Sequence, residues 1–338
     1  MRRQIRMGVF TGFAVFFAAL FFSAVSTQAH STGAGHTHEA VRVVSTTGII
    51  NDLVVNIGGS RVSAEALMGP GVDPHLYRAT AGDIRTLARA EVIFHHGLHL
   101  EGKISEVLEG MNRRGVRTFA VTRDIPRGML ISAGGVYDPH VWFDPSLWAY
   151  AARAVASALS EVDPAGAETY RGNARAYTER LKELDRYATE MSQTVPSSGR
   201  ILITSHDAFG YFGRAYGFKV NALQGVSTVS EAAISDVRRT VGMIVRHRIP
   251  AIFTETSVSP RYMEAVKEAV ESSGMSVEMG AKLYSDALGS AGTRQETFHG
   301  MFKHNVDAIC ISLSRGAAIE VSKLFSGLRP AAAPERNF

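Results

Sequence analysis

Between Asp163 and Val195 the chain reads DPAGAETYRGNARAYTERLKELDRYATEMSQTV, and Ala167, Tyr170, Ala174, Tyr177, Leu181, Leu184 and Met191 recur at the spacing of one helix face. Asp163 can cap such a helix and Pro164 suits its first turn, so the spacing predicts a helix over 164–194. That is 31 residues, or roughly 46 Å at 1.5 Å per residue. Only Gly172 interrupts the pattern, and a bend is expected there. An element this long behaves as a rigid strut, and it leaves two flanking halves that must each bury their own core.

The halves are built alike. From Val41, short β-branched runs alternate with helical patterns: VRVVST, a helix through IINDLVVNI, then AEVIFHHG, VRTFAVT and a helix from SLWAYAARAVASAL. After the strut come RILITS, KVNALQG, PAIFTET and SVEMGAKLYS, separated by helices such as EAAISDVRRTVGMIVRHR. Such alternation predicts an α/β fold of two lobes, each a parallel sheet flanked by helices. The expected organisation is an N-terminal lobe at 41–162, a linking helix at 163–194 and a C-terminal lobe at 195–325. The Pro/Ala-rich 326–338 is expected to fray.

The first residues differ in kind. MRRQIR is basic, Met7 to Phe22 is an uncharged apolar run of 16 residues, and SAVSTQA is small and polar. This is the order of a secretory signal peptide, and the run is shorter than the ~20 residues of a spanning helix. With cleavage expected after Ala29, residues 1–29 take three arginines with them and leave 33 basic residues against 32 acidic ones. The formal net charge of +4 is therefore mostly a targeting signal, and nothing in the remainder points to nucleic acid. Cys310 is the one cysteine, so no internal disulfide can form and no cysteine follows the apolar run to take a lipid. A free monomer in the periplasm is expected. Residues 30–40 hold His30, His36 and His38 among Gly, Ser and Thr and read as a flexible lead-in.

Four positions carry the chemistry: His75 in DPHLY, His140 in DPHVW, His206 in LITSHDAFGYF and Asp286 in LYSDALG, two in each half. His206 and Asp286 each follow a strand run, and ligands of open α/β sheets bind outside the carboxyl ends of strands. The proline before His75 and before His140 favours a turn that presents a side chain. Three imidazoles and one carboxylate are a natural donor set for a divalent first-row cation, although any one of these histidines taken alone is more readily structural or solvated than a ligand.

Taken in order, GVDPHLY, DPHVWFDP, TSHDAFGYFGRAYGF, LQGVSTVSEA, IFTETSV and LYSDALG resemble the successive motifs of the zinc/manganese solute-binding proteins of ABC transporters, the cluster A-I or ZnuA/TroA-like family. The resemblance runs from about Val41 to about Leu324. It implies two α/β lobes joined by one long helix, a metal site in the cleft between them, and His75, His140, His206 and Asp286 as ligands. It also implies a receptor, not an enzyme, that passes Zn2+, with Mn2+ as the alternative, to an ABC permease and its ATPase. Manganese-selective relatives typically have glutamate in place of His206, and His-rich ligation favours zinc.

Glu255, Asp138 and His96 are candidates to orient a ligand ring. Glu255 could instead pair with an arginine, and Asp73, Asp138 and Asp144 could cap turns. In HHGLHLE, His96 stands where the family commonly has asparagine, and His95, His96 and His99 read first as bystanders, with an auxiliary metal site as the alternative. The family's zinc-specialised members often carry a His-rich loop before the second ligand. None precedes His140 here, so His30, His36 and His38 are candidates for auxiliary metal capture or a plain solvated linker. A zinc-dependent hydrolase is the reading from another class. It is disfavoured because four protein ligands close a tetrahedral site and no HExxH motif is present.

Overall fold

The structure is a computed structural model that describes residues 39–133 and 135–315, together with Ile319, Ser322 and Lys323. The expected leader, most of the lead-in and the frayed end at 326–338 lie outside the described residues.

The N-terminal lobe begins with β1 (Val41–Thr47), which is buried along nearly its whole length and so reads as a continuous apolar run, as central parallel strands do. The hydroxyl of Thr47 caps the following α1 (Gly48–Gly58) by accepting from Ile50 N–H at 3.3 Å. Then come β2 (Val62–Met68), α2 (Ala81–Arg89), β3 (Val92–His95), α3 (Ser105–Arg113) and β4 (Arg117–Ala120). All three pairings are parallel and the sheet order is β2-β1-β3-β4. A short antiparallel pair, β5 (Ser132–Ala133) and β6 (Val136–Tyr137), leads to α4 (Pro145–Val162), which Asp144 caps.

The expected strut forms as a 3-10 turn at Pro164–Gly166 followed by α5 (Ala167–Gln193), 27 residues that run through Gly172 without a break. Tyr170, Ala174, Tyr177, Leu181, Leu184, Tyr187, Ala188 and Met191 are its buried face, packed on α1 and α4 of the first lobe and on α9 (Phe298–Leu313) of the second. The C-terminal lobe supplies β7 (Ile201–His206), α6 (Gly210–Tyr216), β8 (Lys219–Gln224), α7 (Ile234–His247), β9 (Ala251–Ile252), α8 (Arg261–Ser272) and β10 (Glu278–Met279) before α9. β7 pairs with β8 and β9 with β10, again in parallel. The Phe253 N–H donates to the Ile203 carbonyl at 3.0 Å, which sets β9 beside β7. Both lobes thus place their second, first, third and fourth strands in the same order.

Two sequence expectations shift. The strand β2 was not among the anticipated runs: it alternates half-buried and exposed residues at the sheet edge, but Ala, Ser and Glu stand where β-branched or aromatic residues would mark a strand. The run SVEMGAKLYS forms only β10 plus a bridge between Leu283 and Glu255, since the chain turns toward the cleft after Met279. Among the described residues no helix is long and apolar enough to cross a membrane.

The strut is pinned at both ends. Asp163, buried, takes the Arg61 guanidinium at 2.8 and 3.0 Å, the Tyr170 hydroxyl at 2.6 Å and the Gly166 N–H at 3.2 Å. At the other end the Tyr187 hydroxyl donates to Asp307 of α9, which also accepts from Lys303 Nζ at 2.8 Å. Removing the Asp163 carboxylate strands Arg61 and a phenol together. Asp163→Ala is therefore expected to lower stability by about 3 kcal/mol in urea unfolding, whereas a change under 1 kcal/mol would mean that the strut's entry is held by packing alone.

Candidate metal centre

His206 is the last residue of β7 and is fully buried. The strand order reverses between β7 and β9, so Glu255, just past β9, arrives beside it. One Glu255 oxygen accepts the His206 N–H at 2.9 Å and the other takes the ring at Nδ1. The carboxylate thereby fixes the tautomer and leaves the Nε2 lone pair free to face the cleft.

His140 is held by the same logic within one turn. In Asp138-Pro139-His140 the Oδ1 of Asp138 accepts the His140 N–H at 2.9 Å and meets ring Nδ1 at 2.7 Å. The other Asp138 oxygen lies against Gly210, where an added Cβ would come within 2.8 Å of it. Trp142 closes this side: its indole meets the His140 ring edge-on at 5.2 Å, and its N–H donates to the Ser285 carbonyl of the opposite lobe at 3.0 Å.

The two Nε2 atoms end up 3.3 Å apart. Asp286 lies between them, with Oδ1 at 3.3 Å from His140 Nε2 and Oδ2 at 3.4 Å from His206 Nε2. Ser257 and Ser285 hydroxyls hold the Oδ2 of Asp286 at 2.9 and 3.3 Å. His75 completes the group: its ring centre is 5.5 Å from that of His140 and 5.9 Å from that of His206, and its buried Nε2 has no partner among the described residues. One donor atom from each of His75, His140, His206 and Asp286 lies within 4.8 Å of the others.

Four donors at ~2.0–2.1 Å from a common tetrahedral centre are separated from one another by roughly 3.3 Å. The His140 and His206 Nε2 atoms are 3.3 Å apart and each has one of the two Asp286 oxygens at 3.3 or 3.4 Å, close to that edge, while the full set of four donors lies within 4.8 Å.

The electrostatics agree. Burial alone would lower the pKa of His140, but the Asp138 charge and hydrogen bond, joined by Asp286, outweigh it and raise the pKa to about 9. His206 is likewise raised well above its ordinary value: burial opposes the shift, and Glu255 and Asp286 prevail. Asp286 is held well below the carboxylate range, since the charge of His206 and the hydrogen bonds of both rings overcome its burial. His75, without a carboxylate on its ring, is pushed by burial down to about 3. Two raised imidazoles around a depressed carboxylate mark a place where positive charge is stabilised, by protons or by a metal.

The sequence-derived candidates among the described residues each have a place. The four ligand candidates converge, and Glu255 and Asp138 orient two of the rings, so no arginine claims Glu255. Asp144 caps α4, and Asp73 accepts the N–H of His75 at 2.8 Å and the hydroxyl of Thr228 at 2.5 Å. His96 is buried beside the group, edge-on to Trp142 at 5.0 Å and stacked with Trp148 at 6.3 Å, but it does not join the donor cluster. Burial pushes its pKa down to about 3, and its ring leans on the backbone of Pro139. His95 and His99 also stay outside the cluster. His30, His36 and His38 lie outside the described residues. Sequence reasoning missed Ser257, Ser285 and Thr228; the serine adjoining Asp286 in YSD was the available signal for the first pair.

The family model described as "Zinc-uptake complex component A periplasmic" matches residues 43–310. The zinc-binding protein TroA of Treponema pallidum is 45% identical over 275 residues, which are 81% of this chain and 89% of that one. The manganese-binding lipoprotein MntA of Bacillus subtilis is 42% identical over 299 residues, 88% of this chain and 97% of that one. The solved structure of the periplasmic zinc-binding protein TroA of T. pallidum superposes with a TM-score of 0.79 at 44% identity, covering 81% of this chain and 99% of that one.

Metal and protons compete for the same Nε2 atoms. Because the His140 pKa of about 9 lies above neutrality and that of His206 is raised in the same direction, the metal-free site holds proton charge at pH 7 that an arriving cation must expel. Calorimetry in buffers of different ionisation enthalpy is expected to read between about one and two protons released per Zn2+, with affinity falling as pH drops from 8 to 6. Binding enthalpy independent of buffer would contradict this electrostatic picture.

Proposed function

Since the chain belongs to the ZnuA family of periplasmic zinc-uptake components, we propose that it is a periplasmic receptor that captures one divalent transition-metal ion between its lobes and delivers it to an ABC permease driven by an ATPase. The observation that carries this reading is the convergence of four buried donors, two from each half, within 4.8 Å of one another. In this reading His75, His140, His206 and Asp286 are the ligands, and lobe closure and metal capture are one event. A closed set of four protein donors leaves no position for an activated water, which favours a receptor over a hydrolase.

Neutral imidazoles outnumbering carboxylate oxygens favour Zn2+, with Mn2+ carried more weakly, because manganese prefers more oxygen donors. The relatives named zinc-binding and manganese-binding support either cargo. The basic, apolar and small-polar order of residues 1–29 supports export through a cleaved leader. The lobe boundaries we propose are 41–162 and 195–325, with 163–194 as the link. They are supported by the two parallel sheets and by α5 lying between them.

Protein purified without a His-tag or chelating column is expected to carry about one zinc per chain, and Zn2+ should raise the melting temperature of metal-free protein more than equal Mn2+. A larger shift with Mn2+ would reverse the assignment of cargo. His140→Ala is expected to weaken Zn2+ binding at least about 100-fold and His96→Ala less than about tenfold, read by competition with a chelating dye. Equal losses would mean that the donor set has been drawn wrongly.

A further inference from the structure

The chain writes Asp-Pro-His twice, and the two triplets make the same turn but use their aspartates differently. In both, the Oδ1 of the aspartate accepts the N–H of the histidine two residues on, at 2.8 Å for Asp73 and His75 and at 2.9 Å for Asp138 and His140. Asp138 spends its contact to the ring on its own histidine. Asp73 does not: its second oxygen reaches across the cleft to the Thr228 hydroxyl at 2.5 Å, in the loop between β8 and α7. Among the described residues no carboxylate holds the His75 ring, so the position of this ring depends on its backbone, and its backbone is tied to Asp73.

Resting on the metal-receptor reading above, we propose that Asp73 and Thr228 form a latch that couples the placement of His75 to closure of the C-terminal lobe. The carboxylate is shared between the ligand's own N–H and a hydroxyl of the opposite lobe. Opening the cleft therefore removes one of its two anchors at the moment His75 should let go. Thr228 is only 7% exposed in the closed arrangement, so its hydroxyl has little water to turn to and is committed to Asp73. A second approach supports the same loop. Gly71, at φ 72°, lies where an added Cβ would sit 3.5 Å from the carbonyl of Thr256, the residue after the glutamate that holds His206. The His75 loop thus meets the C-terminal lobe at two points. Thr228 touches none of the four donors, which makes it a positioning residue: it acts through Asp73 on His75.

The test removes the hydroxyl and keeps the shape. Zn2+ release from full-length protein into excess chelator is expected to be at least about tenfold faster in Thr228→Val than in wild type, and Thr228→Ser should restore slow release. The visible spectrum of the Co2+-loaded Thr228→Val protein should match wild type, because all four donors remain, and its metal-free melting temperature should be unchanged. Metal-induced protection of residues 225–232 from hydrogen exchange should be lost in Thr228→Val and kept in Thr228→Ser. Release within about twofold of wild type, or a Thr228→Ser protein as fast as Thr228→Val, overturns the latch. So does an altered Co2+ spectrum, which would place Thr228 in the donor geometry itself, or a lowered metal-free melting temperature, which would make it a folding contact. Wild-type protein that takes up no Zn2+ overturns the receptor reading along with the latch, so the two failures are distinguishable.

Discussion

An imidazole whose Nδ1–H is committed to a carboxylate has one lone pair left, at Nε2. Asp138 and Glu255 impose that state on His140 and His206, and the fold then sets the two Nε2 atoms 3.3 Å apart with an Asp286 oxygen near each. With neutral rings this is a repulsive arrangement in a buried place, and it is relieved only by something positive at its centre. Positive charge is therefore a condition for the closed cleft and not an addition to it. His140 comes from one lobe, while His206 and Asp286 come from the other, so the cation and the closure stabilise each other.

The two lobes share a strand order but not a way of using it. In the C-terminal lobe the switch point between β7 and β9 supplies a donor and its support directly, His206 from one strand end and Glu255 from the next. In the N-terminal lobe the equivalent point between β1 and β3 is taken by a buried Glu101, which accepts the Thr46 hydroxyl at 2.6 Å and the His96 N–H at 2.7 Å. That carboxylate braces the lobe and coordinates nothing in the cluster. The N-terminal donors come instead from loops past β2 and β6, where proline-fixed turns aim them. A pseudo-repeat in the scaffold thus carries two solutions to presenting an imidazole, one from a strand end and one from a turn.

What could be read from the sequence follows from how local each signal is. The strut was legible because its period is written in consecutive residues, and β7 because a fully buried strand is a continuous apolar run. His75, His140 and His206 drew attention because a histidine beside a proline, or after a buried strand, sits where side chains are presented, whereas Asp286 was singled out with them through the resemblance of LYSDALG to a family motif. The edge strand β2 was not legible, since the alternation in VSAEALM is carried mostly by Ala, Ser and Glu, which mark a strand weakly. The partner of Glu255 was also undecided in sequence, because a buried carboxylate reads the same whether it meets an arginine or a histidine until the third dimension supplies one. Thr228 was invisible for the same reason: 155 residues separate it from Asp73, and a threonine in a loop carries no local mark of the bond it makes.

The strut decides where motion can occur. A flexible linker would let the lobes reorient freely, but α5 packs on α1 and α4 of one lobe and α9 of the other, with Asp163 and Tyr187 fastening its two ends. Next to it, α6 adds a lateral seam: the Tyr211 hydroxyl donates to the Asp138 carbonyl at 2.8 Å, and Arg214 donates to the Met129 carbonyl at 2.7 Å. Opening against these contacts would break buried hydrogen bonds and expose stacked rings such as Phe143 and Phe209, 4.4 Å apart. The opposite side, where the His75 loop meets Thr228 and Thr256, is held by far less. Compliance is thus concentrated at the mouth, on His75, the donor whose ring no carboxylate holds among the described residues, while His140 and His206 stay oriented by Asp138 and Glu255. Opening of the cleft is thus expected to begin at the mouth, where the His75 loop parts from Thr228 before the α6 seam yields.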